Sequence, residues 1–354
     1  MVNSSHQWIK VFVLLFFGLF LGHNAVAQVR VIVVPIGEDG KPLANIVTVA
    51  KSNGDFDNPV EALESIDDAD DVNPYLIFIA PGLYDIGSTQ LQMKPYVDIS
   101  GSGEGITVIQ GAVSDTAIGA NSALVVGASS SKLRELTIYS RNGLSAFQGG
   151  IYIEDVARTE VENVSIDVLG TAAFQYGIYA AGLTNLRLIN VDVYVTGGQG
   201  EQYGILNNGF TMETGSHSSV LVTRGVANQY GIASVRASSD ISETSVEVSG
   251  GTTNQYGVFG RVDSKTNLTD SVVVVNDGAD DFGVYMTDSS SSARVSNSEV
   301  TASNSSVFAS TGANENETYI SDSILTGGVM GDPVCSFTFQ SSGVELDDSC
   351  QPAP

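Results

Sequence analysis

Only one residue in 354 is tryptophan (Trp8), three are histidine and two are cysteine, while 15 lysines and arginines face 40 acidic residues. Each shortage closes a class of chemistry. Zinc sites built from several imidazoles or thiolates lack the ligands they need. A Ser-His-Asp arrangement would have to use His217, and its setting, Gly215-Ser216-His217-Ser218, carries no nucleophile motif. The net charge of −25 repels nucleic acid and other polyanions, whose capture depends on lysine and arginine. Apolar residues at helical spacing are nearly absent, which excludes helical repeats. The two cysteines, Cys335 and Cys350, lie together at the C-terminal end and are expected to pair as a disulfide closing a short loop.

Residues 1–27 have the features of a secretory signal: Lys10, an apolar run from Val11 to Gly22, and Ala25-Val26-Ala27 as a cleavage site. A retained membrane helix is the weaker reading, because this run falls short of the roughly 20 residues that a bilayer requires. Cleavage after Ala27 would leave 14 basic and 40 acidic residues, a net charge of −26, and no tryptophan. No cysteine stands just after the cleavage site for lipidation and no later run could span a bilayer, so the mature chain is expected to be secreted or periplasmic without a membrane anchor.

What the chain does contain is repetition. FQYGI at 174–178 returns as EQYGI at 201–205, NQYGI at 228–232 and NQYGV at 254–258, flanked by FQGGI at 147–151 and DFGV at 281–284. Measured on Ile151, Ile178, Ile205, Ile232, Val258 and Val284, the period is 27, 27, 27, 26 and 26 residues. A fixed period of this size marks a solenoid, in which each unit buries its apolar face only against its neighbours. Within the units apolar residues alternate: Val164, Ile166 and Val168, then Val191, Val193 and Val195, then Val220 and Val222, Val246 and Val248, and Val272 and Val274. Alternating β-branched residues signal strands. The expected fold is therefore all-β: a single-stranded parallel β-helix whose coils stack about 4.8 Å apart. If Ile178 points inward, Tyr176 does too, and Tyr176, Tyr203, Tyr230, Tyr256 and Phe282 form an interior aromatic stack beside an amide ladder of Gln175, Gln202, Gln229 and Gln255. The functional alternative makes these tyrosines an exposed platform for sugars.

Upstream, Ile46–Ile66 (IVTVAKSNGDFDNPVEALESI), Asn73–Gly87 (NPYLIFIAPGLYDIG) and Met93–Gly111 (MKPYVDISGSGEGITVIQG) present TVA, GDF, an amphipathic helix, PGLY, SGSG and TVIQG in order. This order resembles the first coils of pectinesterases and of pectin-lyase-like β-helix proteins, and the YGI repeats resemble secreted bacterial proteins of that superfamily. The resemblance covers about residues 46–111 and implies a right-handed β-helix, a hand that agrees with the general crossover rule, with a short helix capping its N-terminal end. The residues suggest the same cap, with Asn58 as N-cap, Pro59 at N1, Glu61 completing a capping box, and Val60, Leu63 and Ile66 facing the core. The expected organisation is a signal segment (1–27), a lead-in (28–44), the β-helix (45–330) and a disulfide-closed C-terminal segment (331–354).

The catalytic stretches of pectinesterases, Q-A-V-A, Q-D-T, D-F-x-F-G and G-R-x-W, have no counterpart in this sequence, so no catalytic residue is carried over. Outward columns read through the repeat give Ser165, Asp192, Ser219, Ser245, Ser271 and Asn297, then Asp167, Tyr194, Leu221, Glu247, Val273 and Glu299, and neither pairs an acid with a base. His217 falls one repeat after Asn190 and two after Asn163, a corner position that suits a structural role. Arg158, Arg187, Arg224, Arg236, Arg261 and Arg294 fall at different phases and build no common basic groove. Asp277, Asp280 and Asp281, and the run Asp67, Asp68, Asp70 and Asp71, are candidate Ca²⁺ ligands or solvated loop charge. No cofactor is required. Two functions are expected to compete: a non-catalytic extracellular scaffold contacting a glycan or cell surface, and a polysaccharide-active esterase or lyase with a divergent site.

Overall fold

Alternating valines force a choice of inside and outside on every strand, and the repeat period brings equivalent strands into neighbouring coils. In the computed structural model, which describes residues 45–182, 185–209, 211–215, 217–288, 290–309 and 318–353, every ladder between coils is parallel. The protein is an all-β parallel β-helix. The signal segment and lead-in expected at 1–44 lie outside the described residues.

Each coil contributes to three sheets. Sheet A contains Gly82–Asp85, Thr107–Gly111, the second halves of Ser131–Arg141, Thr159–Leu169 and Asn185–Thr196, then Ser218–Thr223, Thr244–Ser249 and Val272–Asn276. Sheet B contains the phrase-bearing strands Phe147–Glu154, Phe174–Ala181, Glu201–Asn208, Gln229–Val235, Asn254–Arg261 and Asp280–Met286. Sheet C runs from Asn45–Val49 through Thr211–Gly215 and Lys265–Thr269 to Val334–Ser336.

The corner from sheet C to sheet A turns on one residue per coil with positive φ: Glu135, Asn163, Asn190, His217, Glu243, Asp270, Asn297 and Asp322. Asparagine and aspartate tolerate this left-handed conformation because their short polar side chains bond locally. Asn190 Nδ2 donates to Asn163 Oδ1 (2.8 Å), and Asn163 Nδ2 to Glu135 Oε1 (2.7 Å). His217 belongs to this series, with Nδ1 3.9 Å from the Glu243 carboxylate. Just inside the corner, Ser218, Thr244, Ser271 and Ser298 are buried. The Ser271 hydroxyl donates to Thr269 O and accepts from Thr244 N, and Ser298 repeats the pattern one coil on. Each hydroxyl thus satisfies backbone groups that a tight bend would otherwise leave unpaired.

The interior is filled by Val164, Ile166, Val168, Val191, Val193 and Val195 and their successors. One expectation fails here: Val273 and Val275 are buried, while Val272 is 41% exposed. Sheet A advances 27 residues from Val246 to Val273, whereas sheet B advances 26 from Gln255 to Asp281. The intervening corner is one residue shorter, and a one-residue slip exchanges the two faces of a strand.

The N-terminal helix spans Pro59–Glu64, capped by Asn58 Oδ1, which accepts from Val60 N (2.9 Å). The cap is asparagine alone, because Glu61 returns no bond to it among the described residues. Pro59, Ala62, Leu63 and Ile66 are buried against the first coils. At the other end Cys335 and Cys350 form a disulfide, with Cα atoms 5.1 Å apart.

Candidate functional site

The phrase F/E/N-Q-Y-G-I is where the structure departs most from the sequence reading. Gln175, Gln202, Gln229 and Gln255 are fully buried and point inward. Their amides form a directional chain: Gln202 Nε2 donates to Gln175 Oε1 and Gln229 Nε2 to Gln202 Oε1, both at 2.8 Å. Gly177 also faces inward, where a Cβ would lie 2.2 Å from Val193 Cγ1 and 2.6 Å from the Gly204 carbonyl. The tyrosine between them therefore points outward. The inward expectation fails because glycine and isoleucine both face the core in succession, which breaks the alternation on which it rested.

The expected stack itself forms on this side of the sheet: Tyr203, Tyr230, Tyr256 and Phe282 lie with centroids 4.5, 5.0 and 5.4 Å apart, Tyr230 and Tyr256 buried and Tyr203 and Phe282 half-buried. Tyr176 leaves the stack and Phe174 takes its place beneath Tyr203 (5.0 Å). The ring of Tyr176 lies over Gly149, where any Cβ would fall 2.1 Å from ring carbons, and its hydroxyl is 2.6 Å from Ser122 Oγ. Burial pushes the phenols of Tyr176 and Tyr203 far above their ordinary range, and that of Tyr230 up to about 12. All three stay neutral.

Sheet A carries the more polar outer face. One column reads Asp85, Gln110, Tyr139, Asp167, Tyr194, Leu221 and Glu247 in consecutive coils. At its start Asp85 accepts from Gly87 N (2.9 Å), Gln110 Nε2 (2.7 Å) and Arg141 (3.3 Å), which together hold its carboxyl below the usual range. The Arg141 guanidinium also lies 5.8 Å from the Tyr139 ring centroid. Further along, half-buried Asp167 sits one coil from Tyr139 and one from Tyr194. Burial first, and the charge of Asp192 second, push its carboxyl up. The loop 102–106 lies beside this column, anchored by Gly105 N donating to Thr137 Oγ1 (2.9 Å). It carries Glu104, raised by its own burial and then by Asp192 and Glu135. The face thus offers a carboxyl pushed up by burial between two phenol rings, with an amide and a guanidinium further along the same column.

Sequence reasoning included Asp167, Asp192 and Tyr194 in its columns but missed Asp85, Glu104, Gln110, Tyr139 and Arg141. Those five precede the phrase repeats, so no period points to them. The usable signal was the alternation within TVIQG and LTIYSR, which places Gln110, Tyr139 and Arg141 outward.

The acidic clusters disperse. Asp281 occupies the inward glutamine column and is buried, Asp280 is exposed beside Asn304 Nδ2 (3.1 Å), and Asp277 forms a positive-φ corner. Consecutive strand residues face opposite ways, so Asp280 and Asp281 cannot share one ion. In the other run, Asp70 accepts from Val72 N and Asn73 N, and Asp68 from Tyr75 OH. Among the described residues no group of three or more His, Cys, Asp and Glu side chains is placed to hold a metal. The arginines are scattered: Arg158, Arg224 and Arg236 occupy corners, Arg187 pairs with Glu160 (3.6 Å), and Arg294 lies over Tyr319.

No family model matches the chain, and no curated protein sequence does. Among solved structures, pectin methylesterase PemA from Erwinia chrysanthemi aligns at 12% identity with a TM-score of 0.41, over 88% of this chain and 94% of that one. The A-module of mannuronan C-5 epimerase AlgE6 from Azotobacter vinelandii aligns at 14% identity and 0.40, over 80% and 95%. The catalytic domain of a GH87 α-1,3-glucanase aligns at 10% and 0.38, over 86% and 71%. Likeness this distant transfers no residue role.

Proposed function

We propose that the protein is an extracellular or periplasmic β-helix that contacts carbohydrate through the outer face of sheet A. The observation that carries this reading is the column Tyr139, Asp167, Tyr194, in which two half-buried phenol rings flank a carboxyl raised by burial. Aromatic rings supply apolar contact for a sugar's C–H face, and a carboxyl, an amide and a guanidinium supply orienting hydrogen bonds. The disulfide and the signal-like segment support a location outside the cytoplasm. The test is calorimetry against neutral and acidic polysaccharides. Neutral chains bind, and replacing both Tyr139 and Tyr194 with alanine weakens or removes one class of sites at least ten-fold. A double variant that retains every site at parental affinity overturns the assignment to sheet A.

A second reading, catalysis, is favoured by Asp167 itself. A carboxyl pushed up beside a second, exposed carboxyl, Asp192, has the features of an acid with a partner. In that case Asp167→Asn keeps glycan binding and abolishes product release from the polysaccharide that binds. Turnover unchanged in Asp167→Asn removes this reading.

A further inference from the structure

The last coil of the β-helix is closed unevenly. Where sheets A and C end, the C-terminal segment folds back as a cap: Cys335 N donates to Asp348 O (3.2 Å), Leu346 N to Thr338 O (2.8 Å) and Gln340 N to Val344 O (2.8 Å), and Leu346 and Cys350 are buried. Sheet B ends differently. Its last rung is the second half of the strand Ile324–Met330, in which Gly328, Val329 and Met330 pair with Ser305, Val307 and Phe308 of the coil before. A later strand, Phe339–Gln340, pairs only with Ile324 and Leu325. Among the described residues no strand therefore pairs with the outer edge of 327–330, and Gly327, Gly328 and Met330 are exposed. Two side chains register what this edge lacks. Val329 continues the interior column of Val258, Val284 and Val307, all buried, yet is itself only half-buried. Met330 continues the outward column in which Phe308 stacks on Tyr285 (4.4 Å), and it is 46% exposed. One further strand would cover both, with an apolar residue over each.

Charge decides which chain can supply that strand. The last basic residue is Arg294: residues 295–354 hold eight acidic residues and no lysine, arginine or histidine. Asp332, Glu345, Asp347 and Asp348, in the segment that follows the open edge, are all exposed. The same end of a second copy would bring the same charges. The opposite end of a second copy is no better, because residues 45–71 set eight acidic residues against Lys51 alone. Like charge disfavours both pairings. We propose that the edge 327–330 takes an extended segment of another protein as an added strand, one that sets two successive apolar residues over Val329 and Met330 and carries lysine or arginine on either side of them. Main-chain hydrogen bonds along the open edge supply affinity, and the apolar pair and flanking cations supply selectivity.

The test uses the purified protein and three labelled, end-blocked hexapeptides, read by fluorescence anisotropy. The first is lysine-threonine-valine-leucine-threonine-lysine, the second has glutamate for both lysines, and the third has proline for valine, which removes a backbone donor. The basic peptide is expected to bind, more weakly as salt rises, and to slow amide exchange at Gly327, Gly328, Val329 and Met330, while the other two bind at least ten-fold more weakly. Met330→Lys sets a cation on the edge and is expected to lower affinity for the basic peptide at least ten-fold, with circular dichroism reporting the fold. Where that variant is unfolded, Asp332→Lys, at an exposed position beyond the strand, is expected to act in the same direction. No binding by the basic peptide, equal binding by the acidic or the proline peptide, or parental affinity in a folded variant overturns the proposal. Self-association of the protein alone that Met330→Lys abolishes assigns the edge to a second copy, and that also overturns it.

Discussion

The glutamine column ends at Asp281, and its chain of hydrogen bonds stops one rung earlier, between Gln229 and Gln255. Gln202 Nε2 and Gln229 Nε2 donate toward the preceding coil, Gln229 Oε1 receives no donor from Gln255, and residue 281 is placed to supply one for Gln255 Oε1. Aspartate is one methylene shorter and carries no amide, and both polar atoms of Gln255 are buried without a hydrogen-bond partner. Asp281→Gln is expected to extend the ladder and stabilise the fold by about 1 kcal/mol, the usual net value of one such bond. A lower melting temperature for this variant would show that the column cannot accept the longer side chain. Asp167 makes a pH-dependent contribution of known sign. Its folded pKa is raised, so above the ordinary value of 3.8 the native state binds more protons than the unfolded one, and stability falls as pH rises through that window. Asp167→Asn should therefore melt higher than the parent at pH 7, with the advantage vanishing below about pH 3.8. An advantage independent of pH would assign the effect to something other than titration.

Strands and corners obey tighter rules than single side chains. Each phrase glycine lets the strand of sheet B approach a sheet A valine: at Gly204 a Cβ would lie 2.2 Å from Val220 Cγ1 and 2.6 Å from the Gly231 carbonyl. Backbone cannot yield as a flexible side chain can, so Gly204→Ala is expected to cost about 1–3 kcal/mol through overpacking. Chemical denaturation measures it, and a variant as stable as the parent would place this glycine away from the core. At the C-terminal end, the disulfide between residues 15 apart ties the last segment back onto the final coils. Reduction should remove about 3 kcal/mol on the chain-entropy estimate while leaving the β-rich circular dichroism spectrum intact. Loss of that spectrum on reduction would make the bridge a condition of the whole fold.

For the molecule as a whole, charge restricts which polymers can approach. With 40 acidic residues against 15 basic ones, and Glu104, Asp167, Asp192 and Glu247 associated with the sheet A face, a polyuronate meets repulsion at both long and short range. The protein is expected to release no methanol from methyl-esterified pectin and no unsaturated uronate from pectate. Turnover proportional to protein concentration and surviving purification to homogeneity would defeat that expectation.

The sequence by itself determined the coil. A period of 26–27 residues, alternating valines and a corner series of asparagine, aspartate and histidine suffice, because stacking identical units leaves one way to bury each apolar face. It also placed Cys335 beside Cys350. Tertiary structure decided which face each phrase residue takes. Alternation holds only along an unbroken strand, and the inward pair Gly177 and Ile178 breaks it, sending the tyrosines outward and the glutamines in. Tertiary structure also assembled the sheet A face, since Asp85, Gln110, Tyr139 and Arg141 come from coils before the phrase repeats. They meet Asp167 only because parallel register carries one column through coils whose sequences share no motif.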